Sequence, residues 1–261
     1  MRLFDDLGEQ VPLRRPPSSV VSLVPSLTES VAASDPGLLV GVTDYCTHPP
    51  DLDVERVGGS KYPKVDAVLR LRPDLVLANS EENRQEDVER LRADGIAVWV
   101  MRAPETVPDA LASLRRMLTQ AFELAEPEWL CTAEDIWSAT RPERVRALVP
   151  VWRKPWVVLG RGTFAGDVLH RLGVGNVYAD HADRYPRPKL DELSAQFAAG
   201  AADLLVLPDE PWEFTSSDGR DAFPGVPYVL VSGRYLTWYG PSLVDAHREL
   251  TAAIATVADA G

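Results

Sequence analysis

The order of strand-like and helix-like segments along the chain occurs twice, and this repeat is the feature that most constrains the fold. In each half, short apolar runs alternate with segments of helical spacing. Asp74 corresponds to Asp203 at an offset of 129 residues, and Val98 corresponds to Val229 at an offset of 131. Strands that alternate with helices indicate parallel sheets with helices on both faces. The sequence therefore predicts an α/β protein with two similar parallel-sheet lobes, although many α/β chains alternate in this way without a duplication.

Most of each lobe is assigned to short elements. In the first half, strands are predicted at residues 20–24, 38–42, 75–78 and 96–100, and helices at 27–33, 65–71 and 86–93. In the second half, strands are predicted at 156–159, 176–178, 204–207 and 227–231, and helices at 167–172 and 190–197. Ser26 and Glu29 have the spacing of a capping box, so we expect their side chains to start the first helix.

A stretch of helical spacing separates the two halves. Pro127 suits the first turn of a helix, and Pro142 is expected to end or kink that helix. The predicted organisation is a lead-in at 1–18, an N-terminal lobe at 19–125, a connecting helix at 126–150 and a C-terminal lobe at 151–261. The chain is expected to cross once between the lobes, with a ligand cleft between them.

Composition excludes several partners. The net charge is -12, and no run of Lys and Arg offsets it, so an acidic surface would repel nucleic acid. Cys46 and Cys131 lack metal-ligand spacing and are predicted to be reduced, partly buried thiols. No apolar window reaches the length of a membrane span, and no signal peptide is recognisable. We therefore expect a cytoplasmic location without membrane insertion, and an extracytoplasmic one only if a leader has been removed.

The segment from 232 to 240 is the most informative candidate for ligand contact. Ligands of open parallel sheets bind beyond the carboxyl ends of the strands, and this segment follows the last predicted strand. It contains Arg234, Tyr235, Trp238 and Tyr239. Aromatic side chains give large contact areas at low entropy cost, which suits a flat or bulky ligand. The alternative is that Trp238 and Tyr239 pack locally against the C-terminal helix.

Signatures of catalysis are weak. The four histidines have no zinc-like spacing, and no nucleophile elbow is present. The glycine-rich turn at 160–166 lacks the lysine of a phosphate loop and is interpreted as turn chemistry. Asp209, Glu210 and Glu213 form either an acidic rim or a solvated loop. The sequence thus predicts no catalytic residues, no certain cofactor and no directly bound metal.

Several blocks together resemble one family. Residues 21–29 (VSLVPSLTE), 40–50 (VGVTDYCTHPP), 56–59 (RVGG) and 71–78 (LRPDLVLA) are similar to successive segments of the cobalamin-type solute-binding proteins of ABC importers, the helical backbone metal receptor group. The resemblance is specific in residues 19–101 and looser in 155–250. It implies two α/β lobes joined by a rigid helix, which hold cobalamin, haem, an iron–siderophore complex or another metal chelate in the cleft.

The resemblance also implies roles for individual positions. Pro25 and Tyr45 match ligand-facing positions, while Trp238 and Tyr239 fall near the ligand-facing segment of the second lobe. Asp66 and Glu192 match acids, one on each lobe, that dock on an ABC permease, although both also suit helix starts. The full predicted ligand-binding set is Pro25, Tyr45, His48, Tyr62, Arg161, Phe164, Trp212, Arg234, Trp238 and Tyr239. The chain departs from the family at Ser60, where cobalamin binders tend to have an aromatic residue.

Three functions are consistent with these features. The first is non-catalytic binding of a corrinoid or related metal chelate, for transport, delivery or sensing. The second is an enzyme on the same scaffold that acts on a small metabolite, with candidate polar residues Arg161, Arg234, His48 and Glu210. The third is an interaction module without a ligand, in which Trp238 and Phe214 would fill the cleft.

Overall fold

The computed structural model describes residues 2–258, which form two compact α/β units. Unit 1 comprises the chain up to Ala103, Leu111–Cys131 and Tyr239–Pro241, and unit 2 comprises Pro104–Ala110, Thr132–Trp238 and the chain from Ser242 onward. The prediction of two α/β lobes is confirmed. The prediction of a single crossing is wrong, because the short segment Tyr239–Pro241 returns to unit 1.

Unit 1 is built on a five-stranded parallel sheet in the order β5-β4-β3-β6-β7, with β1 and β2 as a separate antiparallel pair. Its strands are β1 (Leu3–Phe4), β2 (Gln10–Val11), β3 (Val20–Ser22), β4 (Leu39–Val42), β5 (Glu55–Arg56), β6 (Leu75–Asn79) and β7 (Val98–Met101). Its helices between strands are α1 (Pro25–Ser34), α2 (Val65–Leu71) and α3 (Gln85–Ala93).

Two helices occupy the middle of the chain, α4 (Val107–Arg116) and α5 (Glu128–Trp137), with a π-helical turn at Met117–Ala121. The later strands are β8 (Val145–Leu148), β9 (Pro150–Arg153), β10 (Trp156–Val158), β11 (Val174–Asn176), β12 (Leu204–Pro208) and β13 (Tyr228–Val231). The later helices are α6 (Phe164–Arg171), α7 (Leu190–Ala198), α8 (Gly233–Thr237) and α9 (Leu243–Ala258). Unit 2 contains a four-stranded parallel sheet in the order β11-β8-β12-β13.

The two parallel sheets share a strand order and a capping interaction. β3 lies between β4 and β6 as β8 lies between β11 and β12. Before β6, the Asp74 N–H donates to the Ser19 carbonyl at 2.8 Å while its carboxylate accepts from the Ser19 N–H at 3.1 Å. Before β12, the Asp203 N–H donates to the Arg146 carbonyl at 2.8 Å while its carboxylate accepts from the Arg146 N–H at 2.9 Å. The predicted correspondence of Asp74 with Asp203 therefore has a structural basis.

The central strand of the second sheet was assigned wrongly from sequence. Residues 145–148 form β8, whereas the sequence placed them in a helix that ran to residue 150. The predicted first strand, 156–159, is instead β10, which pairs antiparallel with β9 outside the parallel sheet. A short apolar run does not distinguish a strand from a helix by periodicity, so pairing with β11 and β12 decides the conformation of 145–148.

The predicted capping box at the start of α1 is also wrong. The helix begins at Pro25 with Val24 as its N-cap, and no side chain caps it. Proline is favoured at the first helical position because it needs no N–H partner there. Ser26 and Glu29 consequently lie inside the helix, and both are buried.

The cores of the two units differ in composition. The core of unit 1 is aliphatic and includes Val21, Leu23, Val76 and Leu91. The core of unit 2 is partly aromatic, with buried Phe214 and Phe223 packed against the ring of Trp156. No helix within residues 2–258 combines the length and apolar character needed to cross a membrane.

The capping role of Asp74 and Asp203 can be tested by substitution. Asp74→Ala should lower the free energy of unfolding by about 1–2 kcal/mol at pH 7, since its carboxylate accepts three hydrogen bonds, and Asp203→Ala should lower it by about 1 kcal/mol. Hydrogen bonds from Ser18 and Ser19 lower the pKa of Asp74 below its usual 3.8. The stabilisation is therefore present above pH 3.8 and is lost as the pH falls through the lowered pKa.

Urea unfolding at pH 7 and pH 3 measures both effects. The exposed loop residue Asp51 supplies the control variant Asp51→Ala. A loss in Asp51→Ala equal to that in Asp74→Ala would contradict the capping role.

Candidate functional site

The turn after β6 is fixed by the side chains of two asparagines. The Asn79 carboxamide oxygen accepts from the Glu81 N–H at 2.8 Å and the Glu82 N–H at 3.3 Å. The Asn83 carboxamide oxygen accepts from the Asn79 N–H at 2.7 Å, and its amide group donates to the Ser60 carbonyl at 2.8 Å. Asn79 and Asn83 are both buried, so the turn presents Glu82 in one fixed backbone frame.

Tyr239 completes this turn within unit 1. Its buried hydroxyl accepts from the Asn79 amide group at 2.7 Å and lies 3.4 Å from Glu82 Oε1. The Tyr239 N–H donates to Ser26 Oγ at 3.3 Å. Gly240 follows because a Cβ there would lie 2.7 Å from Ser30 Oγ, closer than a side chain permits. Helix α1 thus holds the backbone of this segment while Asn79 holds its ring.

The environment of Glu82 disfavours its charge. Burial, and next the nearby negative charge of Glu81, raise the pKa of Glu82 to about 7, against a smaller opposing effect of the Tyr239 hydroxyl. Burial and the charge of Glu82 also raise the pKa of Tyr239 well above its usual 10. Glu82 is partly exposed, so its carboxyl group exchanges protons with solvent near neutral pH.

Two exposed aromatic rings lie beside this turn. Tyr45 is 65% exposed and Tyr62 is 66% exposed, which is unusual for large aromatic side chains. A Cβ at Gly59 would lie 3.5 Å from the Tyr45 ring, so the backbone at Gly59 passes close to that ring. The Arg84 guanidinium lies 4.8 Å from the centroid of the Tyr62 ring. We define the unit 1 edge as Tyr45, Ser60, Tyr62, Glu82 and Arg84.

A buried polar layer supports the unit 1 edge. The Cys46 thiol lies 3.0 Å from Thr28 Oγ1 and 3.1 Å from Thr43 Oγ1. The Arg56 guanidinium donates to the carbonyls of Thr43 at 3.0 Å and Cys46 at 2.8 Å, which fixes the loop that carries Tyr45. Burial raises the pKa of the Cys46 thiol, so this thiol is neutral and suits a structural role.

The corresponding edge of unit 2 carries a second partly buried carboxyl group. The Trp238 indole N–H donates to Glu210 Oε2 at 3.1 Å, and burial raises the pKa of Glu210. The Arg234 guanidinium lies 5.8 Å from the centroid of the Trp238 ring. Gly233 is required here because a Cβ would lie 2.5 Å from the Glu210 backbone nitrogen. Asp209 accepts from the Gly233 N–H at 2.5 Å, which joins the ends of β12 and β13.

The predicted ligand-binding residues fall into exposed and buried groups. Tyr45, Tyr62 and Arg161 are exposed, whereas His48, Trp212 and Arg234 are partly buried. The buried members are Pro25, Phe164, Trp238 and Tyr239. In unit 1, Tyr239 contacts the turn after β6 through Asn79 and Glu82, Tyr62 contacts Arg84, and Tyr45 lies beside the backbone of Gly59. In unit 2, Arg234 lies against the Trp238 ring. Trp212 contacts Trp152 edge-on, with ring centroids 5.0 Å apart.

The predicted permease-docking acids are both exposed and both have local partners. Asp66 lies in the first turn of α2 and forms an ion pair with Arg90 at 2.5 Å. Glu192 lies in the first turn of α7, where its carboxylate accepts from the Lys189 N–H at 3.1 Å. The helix-start role that the sequence left open is therefore present for Glu192.

The segment from Asn79 to Asn83 was expected at a strand end that faces the ligand, but neither these residues nor Arg84 were included in the predicted ligand-binding set. The sequence feature that indicates these residues is the run of polar residues that directly follows the apolar strand β6. The prediction that both cysteines are partly buried is wrong for Cys131, which is exposed because it lies on the solvent side of α5. Within residues 2–258, no cluster of three or more His, Cys, Asp or Glu side chains could hold a metal ion.

The chain is similar in sequence and in fold to known proteins. A family model described as periplasmic binding protein matches residues 20–128. A vitamin B12-binding protein of Pectobacterium atrosepticum is 23% identical over 257 residues, which cover 92% of this chain and 89% of the relative. The solved periplasmic vitamin B12 binding protein of Vibrio cholerae has a TM-score of 0.72 at 19% identity and covers 94% of this chain and 99% of its own.

The resemblance to periplasmic solute-binding proteins is confirmed. A periplasmic heme-binding protein from a Roseiflexus species has the same fold, with a TM-score of 0.72 at 20% identity over 92% of this chain and 99% of its own. The expected cytoplasmic location is wrong, because the matching family and these solved structures are periplasmic binding proteins.

The raised pKa of Glu82 predicts a pH-dependent stability. Its folded-state pKa of about 7 lies above its usual 4.5, so its contribution is fully present below pH 4.5 and is lost as the pH rises through 7. Between pH 5 and pH 8.5, the wild type should lose about 2 kcal/mol more unfolding free energy than Glu82→Gln, after a reduction for partial exposure. Denaturant unfolding at both pH values measures the difference, and Glu9→Gln, which removes a charge at an exposed position, is the control. Equal pH dependence in the wild type and Glu82→Gln would contradict the assignment.

Proposed function

We propose that this protein binds a flat metal chelate of the tetrapyrrole type, in the first place a corrinoid, and performs no chemistry on it. The observation that carries the proposal is the pair of exposed rings, Tyr45 and Tyr62, at the carboxyl edge of a parallel sheet. Exposed aromatic rings at such an edge suit a large apolar ring system, since ligands of open α/β sheets bind there. The names of the relatives, which include vitamin B12-binding and heme-binding proteins, support the same class of ligand.

The unit 1 edge would contribute shape and contact area to binding. The Tyr45 ring lies beside the backbone of Gly59, and the Tyr62 ring lies 4.8 Å from the Arg84 guanidinium. A tyrosine side chain gives a large contact area at a low cost in conformational entropy when a ligand binds. Glu82 and Ser60 supply polar groups for the periphery of the chelate. Binding alone, for transport or delivery, requires no nucleophile or general base at this edge.

Titration with cobalamin, cobinamide and haemin tests the proposal. We expect at least one of these to bind at micromolar Kd or tighter, about -8 kcal/mol. Tyr45→Ala and Tyr62→Ala should each weaken binding about tenfold, since each removes an aromatic contact worth about 1–1.5 kcal/mol. Calorimetry and tryptophan fluorescence measure the affinities.

Matched variants separate the ring from the hydroxyl group. Tyr45→Phe and Tyr62→Phe keep the rings and should bind within about threefold of the wild type. Phe4→Ala removes another exposed aromatic side chain, on β1, and should leave binding unchanged. Absence of binding by all three ligands, or equal loss in the Phe and Ala variants, would overturn the assignment of the unit 1 edge.

We also propose that an ABC permease receives the ligand, with Asp66 and Glu192 as the docking acids. Glu192→Gln keeps an oxygen that can accept the Lys189 N–H but removes the charge. Binding to a detergent-solubilised or nanodisc-embedded permease should therefore fall in Glu192→Gln and Asp66→Asn while unfolding free energies stay close to that of the wild type. Unchanged binding in both variants would reject the docking role.

A further inference from the structure

We infer that Glu82 is a specificity-determining residue that favours chelates with amide or hydroxyl donors at the periphery and disfavours chelates with ionised carboxylates there. This inference rests on the proposed function, because it assigns Glu82 a direct contact with the ligand at the unit 1 edge. Glu82 would distinguish ligands by the groups at their periphery, whereas Tyr45 and Tyr62 would contact the ring system.

The position of Glu82 supports such a contact. It follows Asn79, the last residue of β6, by three positions, and the hydrogen bonds of Asn79 and Asn83 fix the turn that carries it. Its Oε1 accepts from the Tyr239 hydroxyl at 3.4 Å, and that hydroxyl accepts in turn from the Asn79 amide group at 2.7 Å. Within the described residues, no hydrogen bond to Oε2 is made, which leaves that oxygen for a ligand donor.

The charges around Glu82 do not offset its own charge. Glu81, its exposed neighbour on the turn, adds a second negative charge. Arg84 on the same turn pairs with Glu86 at 2.5 Å and with Asp87 at 2.8 Å, so its charge is already compensated.

No cation on another element is among the groups that shift the pKa of Glu82. In the loop after β4, the group that faces Glu82 is the neutral thiol of Cys46. On α1, Glu29 Oε2 lies 3.8 Å from the position that a Cβ on Gly240 would occupy, and it is also acidic. Lys61 and Lys64 are exposed in the loop that carries Tyr62. An ionised carboxylate brought to Oε2 would therefore meet like charge at close range, while an amide N–H would find an acceptor.

Two corrinoids with the same ring test this directly. Dicyanocobinamide carries amide side chains, whereas dicyanocobyrinic acid carries carboxylates at the same ring positions. At pH 8, we expect the wild type to bind the amide form at least tenfold tighter than the acid. At pH 5.5 the ratio should fall severalfold, because a carboxyl group with a pKa of about 7 is then protonated while most ligand carboxylates remain ionised.

Two variants and a control isolate Glu82. Glu82→Gln should lower the ratio at pH 8 and remove most of its pH dependence, while Glu81→Gln, which changes the same net charge, should keep most of both. Tyr239→Phe keeps the ring but removes the hydroxyl that positions Glu82, and it should lower the ratio without removing the charge. This second variant keeps the test valid if Glu82→Gln folds poorly.

The outcomes separate this inference from the proposed function. Binding of both corrinoids with a ratio that Glu82→Gln leaves unchanged would overturn the role of Glu82 and keep the proposed function. Binding of neither corrinoid by the wild type would overturn the corrinoid assignment, and the role of Glu82 with it. Equal effects of Glu81→Gln and Glu82→Gln would show general repulsion by an acidic surface and would also overturn the role.

Discussion

The hydrogen bond between the Asn79 side chain and the Tyr239 hydroxyl joins residues 160 positions apart within unit 1. Asn79 uses the same side chain to hold the turn after β6, and Tyr239 is held in turn by Ser26 of α1. A strand end, a helix and a late segment of the chain therefore meet at Tyr239, which is buried. Because buried polar groups are costly when they lose their partners, the frame of Glu82 depends on the hydrogen bond between Asn79 and Tyr239 being made.

The two units resemble each other at the carboxyl ends of their strands as well as in the order of their strands. Beyond β6 the chain has Glu81 and Glu82, and beyond β12 it has Asp209 and Glu210. In each unit one of these carboxyl groups is partly buried, has a raised pKa and faces an aromatic hydrogen-bond donor. The donors are Tyr239 in unit 1 and Trp238 in unit 2, which are adjacent in sequence. The two sheets thus share an arrangement of acid and aromatic residues, built on cores of different composition.

Much of the fold was predictable because local patterns and the final structure agree. The helix at 65–71 and the strands at 75–78 and 204–207 were located within one residue, since apolar periodicity and flanking turn residues point to the same element. The strand at 145–148 was missed because its conformation depends on pairing with β11 and β12, which no local pattern encodes. The same reasoning explains Ser26, whose hydroxyl accepts from Tyr239 far along the chain instead of capping its own helix.

The candidate site was predictable in part. Polar and aromatic residues after each strand indicated the sheet edges, and Tyr45 and Tyr62 are exposed there. The positions of Trp238 and Tyr239 were selected correctly as unusual, but their burial depends on tertiary partners that sequence does not show. Glu82 was not included in the predicted site because the sequence of an acidic loop does not show whether its carboxyl groups are exposed or partly buried. Only the contacts of Asn79 and Tyr239 show that Glu82 is partly buried.

The return of Tyr239–Pro241 to unit 1 has a consequence for dissecting this protein. A fragment that ended at Cys131 would contain the whole parallel sheet of unit 1 but would lack the ring that covers Asn79. The amide group of Asn79 and the turn it holds would then be open to water. Supplying residues 239–241 through a short engineered linker, or as a separate peptide, would restore the missing partner. Each unit is therefore made of several separate chain segments, and no single truncation of the sequence yields one complete unit.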